Sequence, residues 1–265
     1  MLPVSIHFDA EPAMNLPLID TSALAMAVAS VGRFVRRLRA TAALLVLALL
    51  ALGTRAVAQI PPTPAEVAGY AGLHAAAQRG DATGVARLAA LPGALAARDG
   101  HGRTALHVAT FARQRAAIAA LLGAGADPGA LENDRYDAVT IAAVADDEET
   151  LALLLARGAS ARLVTSRYDG TALIAAAHLG HDGVVRQLIA AGAPVDHVNN
   201  LHWTALIEAI VLGDGGRRHQ ACVRALLDAG ADTRLADRSG RTPLQLARER
   251  GYTTMVQMLE RAGAR

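Results

Sequence analysis

Residues 103–109 read Arg-Thr-Ala-Leu-His-Val-Ala, and the same stretch returns along the chain. It reappears as Gly-Thr-Ala-Leu-Ile-Ala-Ala at 170–176, Trp-Thr-Ala-Leu-Ile-Glu-Ala at 203–209 and Arg-Thr-Pro-Leu-Gln-Leu-Ala at 241–247. Two weaker copies begin at Ala71 (Ala-Gly-Leu-His-Ala-Ala) and Asp137 (Asp-Ala-Val-Thr-Ile-Ala). The anchor positions are 71, 104, 137, 171, 204 and 242, so the spacings are 33, 33, 34, 33 and 38. A second landmark keeps step with the first: Gly125-Ala126-Asp127, Gly158-Ala159-Ser160, Gly192-Ala193-Pro194, Gly230-Ala231-Asp232 and Gly263-Ala264. Two linked landmarks at a near-constant period define a repeat array, which must be settled before any other reading.

The letters have a chemistry. Thr104, Thr171, Thr204 and Thr242 stand where a helix begins, and a hydroxyl there accepts from an orphan N–H, worth about 1 kcal/mol. Pro243 suits the first helical position, where its missing N–H costs little. Each copy predicts a short Ala-rich first helix. A second helix then ends in an apolar pair: Leu121-Leu122, Leu154-Leu155, Leu188-Ile189, Leu226-Leu227 or Met258-Leu259. The glycine that follows (125, 158, 192, 230 or 263) supplies the left-handed residue that ends a helix. One helix pair cannot bury its apolar face alone, so neighbours stack.

These residues resemble the ankyrin-repeat family, whose pattern is a T-P-L-H-x-A helix start, a leucine-ended second helix, then G-A-D and a β-turn finger. The resemblance spans about residues 70–265. Arg167-Tyr168-Asp169-Gly170-Thr171 and His197-Val198-Asn199-Asn200, followed by Trp203-Thr204-Ala205-Leu206, are similar to a group of exported bacterial members. It implies an all-α solenoid of about six helix-turn-helix repeats with β-turn fingers. Its copies fall at about 70–102, 103–135, 136–169, 170–202, 203–240 and 241–265. It also implies that His74 and His107 bond the backbone of a neighbouring finger.

Two copies depart from the pattern. Copy three lacks the Thr and carries Asp146, Asp147, Glu148 and Glu149 between its helices, an acidic run that suits the N-terminal dipole of the second helix. Copy five has five extra residues within Leu212–Gln220. Gly213, Gly215 and Gly216 predict a flexible loop there, and loops often carry function.

Ahead of the array, Arg33, Arg36, Arg37 and Arg39 precede an uncharged apolar run of 13 residues, 40–52, and then Ala56-Val57-Ala58. The run is too short to span a bilayer, which takes roughly 20 residues, and it has the length of a secretory h-region before an A-x-A site. Residues 26–58 are therefore expected to be an export signal cut after Ala58, with the mature protein in the periplasm. Residues 1–25 are a doubtful extension, and Met26 would open an n-region of conventional length. An uncleaved membrane anchor is the alternative. Residues 59–68, with Pro61, Pro62 and Pro64, read as a linker in which proline opposes regular structure.

Composition narrows the function. Apolar residues are 52% of the chain but aromatics only 3%, so the core must be Ala, Leu and Val. All 26 basic residues are Arg. Residues 1–58 hold five Arg and three acidic residues, whereas 59–265 hold 21 of each, so the body is neutral. That argues against nucleic-acid binding, which needs a basic surplus to release phosphate counterions. The single Cys222 forms no internal disulfide or CxxC pair and reads as a small buried hydrophobe. His178 with His181 and His197 with His202 fall short of the three or four convergent ligands a metal centre needs. No nucleophile elbow, P-loop or H-E-x-x-H occurs.

The expectation is a non-enzymatic module, without metal or cofactor and monomeric. It binds another protein through the concave surface that, in the family, finger tips and first helices line. The alternatives are a membrane-tethered periplasmic scaffold with an uncleaved anchor and, second, a small-ligand or metal-binding protein. Tyr, Trp and Arg are enriched at interface hot spots, and here they gather in the fingers. The candidate contact residues are Arg135, Tyr136, Arg167, Tyr168, His178, Leu201, His202, Trp203 and Arg238.

Overall fold

The structure is a computed structural model that describes residues 59–265. The 1–25 extension, the 26–58 export signal and the cut after Ala58 lie outside the described residues.

Six helix pairs follow the period of the sequence. They are α2 (Gly72–Arg79) with α3 (Ala82–Ala89), α4 (Ala105–Phe111) with α5 (Arg115–Gly123), and α6 (Ala138–Val144) with α7 (Glu148–Ala156). Then come α8 (Ala172–Leu179) with α9 (Asp182–Ala190), α10 (Ala205–Val211) with α11 (Arg217–Asp228), and α12 (Pro243–Glu249) with α13 (Thr253–Arg261). Each first helix touches the next first helix, and each second helix the next second helix. The result is a two-layer stack in which one continuous core runs between the layers. Leu106, Leu121, Leu154, Leu173, Leu188, Leu206, Leu226 and Leu259 are all at most 2% exposed, each contributing about 2 kcal/mol of apolar burial. The fold is the expected all-α solenoid. Among the described residues the one strand ladder is the two-residue pair β1 (Val164–Thr165) and β2 (Gly170–Thr171), antiparallel, at the base of the third finger.

The helix starts are capped as the threonines predict. The hydroxyls of Thr171, Thr204 and Thr242 accept from the N–H groups of Ile174, Ile207 and Gln245 at 3.3, 3.2 and 3.4 Å. In copy three Asp137 takes the missing threonine's place and accepts from Thr140 N–H at 2.7 Å. Asp147 caps α7 and accepts from the amide and hydroxyl of Thr150 at 3.1 and 2.6 Å, so the acidic run does serve a helix N-terminus. Gly125, Gly158, Gly192, Gly230 and Gly263 all have φ between 81° and 89°, the left-handed stop.

Two expectations need correction. Residues 64–69 are not irregular: they form a helix, α1 (Pro64–Gly69), with Pro64 at its first position. Thr63 and Glu66 close a capping box ahead of it, Thr63 N–H to Glu66 Oε2 being 2.7 Å. Proline at a helix start supports helix, and the glutamate three residues after the threonine was the signal.

The glycine-rich insertion of copy five packs against the last repeat instead of standing free as a loop. Part of the extra length extends α11 to 12 residues, against nine in α9, and the rest packs. Gly213 is buried, with its carbonyl accepting from the Tyr252 hydroxyl at 2.9 Å. A Cβ on Gly215 (φ +71°) would sit 2.6 Å from the Tyr252 ring. The glycines are there because a backbone passes close to side chains. From α11, Arg218 spans two repeats, reaching Asp182 at 3.3 Å and Asp146 at 2.7 Å. Cys222 is fully buried, and that burial pushes its thiol up to about 12.

Candidate interaction surface

The five fingers are 98–103, 131–136, 165–170, 198–203 and 236–241, each ending just before a first helix. One device builds them all. A side chain five residues before the anchor accepts two backbone N–H groups of the same turn, through one oxygen in four fingers and through both carboxylate oxygens of Glu132 in the second. Asp99 Oδ1 takes those of His101 and Arg103, each at 2.9 Å. Glu132 takes Asp134 and Tyr136, each at 3.0 Å. Ser166 takes Tyr168 and Gly170 at 3.3 and 3.4 Å. Asn199 takes Leu201 and Trp203, each at 3.0 Å, and Asp237 takes Ser239 and Arg241, each at 2.9 Å. Side-chain acceptors that copy a backbone turn in this way fix the loop's shape.

The turn also demands a left-handed residue two before each anchor. Gly102 and Gly240 fill it at φ 74° and 76°, whereas Arg135, Asp169 and His202 fill it at 68°, 52° and 62°. Non-glycine residues in that region are strained, which is a hint of function. Two of the three, Arg135 and His202, are candidate contact residues.

Neighbouring fingers are tied edge to edge. Asn133, Ser166 and Asn200 N–H groups donate to the carbonyls of His101, Arg135 and Tyr168, each at 3.0 Å. Arginines lace the same seam. Arg98 donates to Leu131 O at 2.6 Å, Arg135 pairs with Asp169 at 3.1 Å, Arg167 pairs with Asp134, and Arg238 donates to Asn200 O at 2.9 Å. So three candidate contact arginines, 135, 167 and 238, already hold adjacent fingers together while staying exposed.

The first helices support the row from beneath. Nε2 of His74 lies 3.0 Å from Arg103 O, and Nε2 of His107 3.2 Å from Tyr136 O. The Nδ1 of His107 accepts from Thr104 N–H at 3.1 Å, so the proton of the neutral ring is on Nε2, donated to the finger. Burial pushes the His107 pKa down to about 4. The unfolded ring, with an ordinary value near 6.5, takes up a proton first as pH falls. The stabilisation is complete above about pH 6.5 and is lost progressively down to about pH 4. Between pH 8 and pH 5 we expect a loss of about 2 kcal/mol from this group, read as a falling urea midpoint. His107→Gln should flatten that slope; an unchanged slope would disprove the assignment.

The remaining candidates differ in exposure. Tyr168 is 43% and Leu201 39% exposed, both at the same register on adjacent fingers, with Val164 and Val198 beside them in sequence order at 39% and 43%. Trp203 is half-buried and packs against the core, and Tyr136 is half-buried too. His178 lies on α8, its Nδ1 3.2 Å from Glu208 of α10, and Glu208 also accepts from Asn199 at 2.9 Å. The buried carboxylate thus links two first helices and a finger. Phe111, Val144 and Val211 share the register of His178 and are likewise half-buried. Sequence reading passed over this first-helix row, although seven residues after each anchor is a position the period defines. Among the described residues no group of three or more His, Cys, Asp or Glu is placed to hold a metal, and no helix is long and apolar enough to cross a membrane.

Six stacked helix pairs, joined through five fingers that bond edge to edge, define a solenoid repeat protein. The family model described as ankyrin repeats in three copies matches residues 139–234, and the single ankyrin repeat model matches 101–133. The ankyrin repeat protein YahD of Escherichia coli K12 is 39% identical over 190 residues, 71% of this chain and 94% of that one. A crystal structure of an ankyrin repeat domain from Acinetobacter baumannii superposes with a TM-score of 0.69 at 46% identity, covering 73% of this chain and 98% of the other. The ankyrin repeat domain of Bcl-3, an IkappaB family member, gives 0.66 at 29% identity, over 74% and 88%. The chain belongs to the ankyrin-repeat family.

Proposed function

We propose that this protein is an exported, non-enzymatic interaction module of the periplasm that grips a partner protein along fingers two to five and the first-helix row. Ankyrin repeats are protein-binding modules in general, and the described residues present the kind of surface that role needs. The observation that carries the reading is the exposed pair Tyr168 and Leu201 on a finger row whose backbone is already locked. Locked fingers lose little entropy when a partner arrives, so apolar contacts at their tips convert to affinity. The strained Arg135 and His202, held where glycine would relax the turn, support the same surface. Export rests on the basic cluster, the apolar run 40–52 and Ala56-Val57-Ala58.

Trp203→Ala would confound binding with packing, because the indole lies against the core. The clean test is Tyr168→Ala with Leu201→Ala. Both side chains are exposed, so the melting temperature should hold while affinity for a co-purified partner falls about 10–100-fold. Unchanged affinity would remove this surface from the account.

A further inference from the structure

The first helices leave one stripe uncovered. On α8 only Ala175, His178 and Leu179 escape burial, and residues three and four apart share one helix face. On α10 the matching residues are the buried Glu208, the half-buried Val211 and the exposed Leu212 that follows the helix. Eight residues after the anchor, copies two to five carry Ala112, Ala145, Leu179 and Leu212. The two leucines are 42% and 44% exposed. The polar side chains of the stripe, His178 and Glu208, bond each other at 3.2 Å. The ends of the array differ. At the same register copy one carries Arg79 and copy six Arg250, both exposed. Fingers one and five add the exposed Arg98 and Arg238. Arg98 donates to the carbonyls of Gly102 and Leu131, each at 2.6 Å, and Arg238 to that of Asn200 at 2.9 Å. Among the described residues no carboxylate pairs with any of these four arginines. Between them the finger charges cancel, Arg135 against Asp169 and Arg167 against Asp134. The surface is therefore apolar and neutral along its middle and cationic at both ends.

We infer that the partner meets this surface with an extended segment, apolar in its middle and carrying Asp or Glu towards both ends. The inference deepens the function proposed above and rests on it. Neighbouring first helices lie about 8–10 Å apart, which sets Arg79 and Arg250 roughly 40–50 Å from each other. About 12–15 extended residues, at about 3.3 Å each, span that length. The apolar side chains of the segment cover Leu179, Leu212, Tyr168 and Leu201. Its carboxylates meet guanidinium groups whose planar fork suits a carboxylate. Other occupants fit less well. A second copy of this chain would set arginine against arginine. Residues 1–58 carry five Arg against three acidic residues, so their charge has the wrong sign. A lipid has its charge at one end, whereas this surface has cations at two.

The test is selection from a displayed library of random peptides of about 15 residues, using protein produced from the full-length sequence. The expected result is a set of peptides with a Leu-, Val- or Phe-rich middle and Asp or Glu near each end. Leu179→Ala with Leu212→Ala should weaken them about 10–100-fold. Arg79→Gln with Arg250→Gln should weaken them about 3–10-fold at low salt and much less at high salt. These four side chains are exposed, so an unchanged melting temperature will show that the variants stay folded. Peptides that need Tyr168 and Leu201 but lack acidic ends, or that bind equally well without Arg79 and Arg250, overturn this inference and leave the proposed surface standing. A selection that enriches no peptide also overturns it. Peptides indifferent to the finger and helix variants alike sink the surface and this inference together. Phosphatidylglycerol vesicles that displace the selected peptides would assign the surface to lipid instead.

Discussion

Replacing Arg103 by Met should destabilise the protein by about 3–5 kcal/mol, the cost of removing one partner from a buried charge cluster. The guanidinium is 1% exposed. Its Nε donates to Asp99 Oδ2 at 2.7 Å, Nη1 to Ile60 O at 3.1 Å, and Nη2 to Glu66 of α1. Burial alone would raise the Asp99 pKa, but the Tyr70 hydroxyl and the Arg103 backbone and side chain bring it down to about 2. Without Arg103 that carboxylate loses its cation, and the 59–70 segment loses the contact that seats it on the first finger. Urea unfolding should show the loss, and hydrogen exchange should show amides 62–70 opening first. Arg241 is an internal control. Asp237-Arg-Ser-Gly-Arg241 repeats the spacing of Asp99-Gly-His-Gly-Arg103, and Arg241 pairs with Asp237 at 2.7 Å, but its side chain is 45% exposed. Arg241→Met should cost less than about 1 kcal/mol. Equal costs at the two sites would mean that burial is not what makes Arg103 matter.

Leu173→Ala should cost about 3–5 kcal/mol through the cavity it leaves. Leu173 is fully buried on α8, in the middle of the stack. Leu259, on the terminal α13, is equally buried, so the local chemistry of truncation is the same at both. The consequences differ because a solenoid couples only nearest neighbours. A defect in repeat four weakens the joint between two halves and should shift the whole transition. A defect in repeat six should let the last pair fray while repeats two to five unfold near the unaltered midpoint. Circular dichroism against urea, with hydrogen exchange by region, separates the two. One shared transition for Leu259→Ala would contradict one-dimensional coupling.

Much of this architecture was legible in the sequence because its signals are local. A threonine cap, a glycine stop and a leucine pair each act within one turn of their own position, so a period of about 33 residues reads straight into helix pairs. The histidines of the T-x-L-H motif were legible for the same reason, once the family resemblance supplied their partner. What escaped was chemistry shared by unlike letters. Asp99, Glu132, Ser166, Asn199 and Asp237 keep the array's spacing, yet they share only a side chain whose oxygen atoms accept two amides of the turn. The left-handed series of Gly102, Arg135, Asp169, His202 and Gly240 shares only a backbone angle.

Long-range packing escaped as well. No local pattern says that Arg103 turns inward, nor that Tyr252, thirty-seven residues further on, needs Gly215 to lack a side chain. The three prolines of 59–68 read as breakers unless Pro64 is set beside the Thr63–Glu66 box that makes it a helix start. Among the candidate contacts, the register showed which residues belong to fingers. It did not show that Trp203 leans on the core while Tyr168 and Leu201 stand clear.

The central claim is that the finger row and the first helices meet the partner. Hydrogen exchange by mass spectrometry, with and without the co-purified partner, tests it most directly. The account predicts added protection in 131–136, 165–170, 198–203 and 236–241 and along α6, α8 and α10, with α5, α7 and α9 unchanged. Protection confined to those second helices would contradict it.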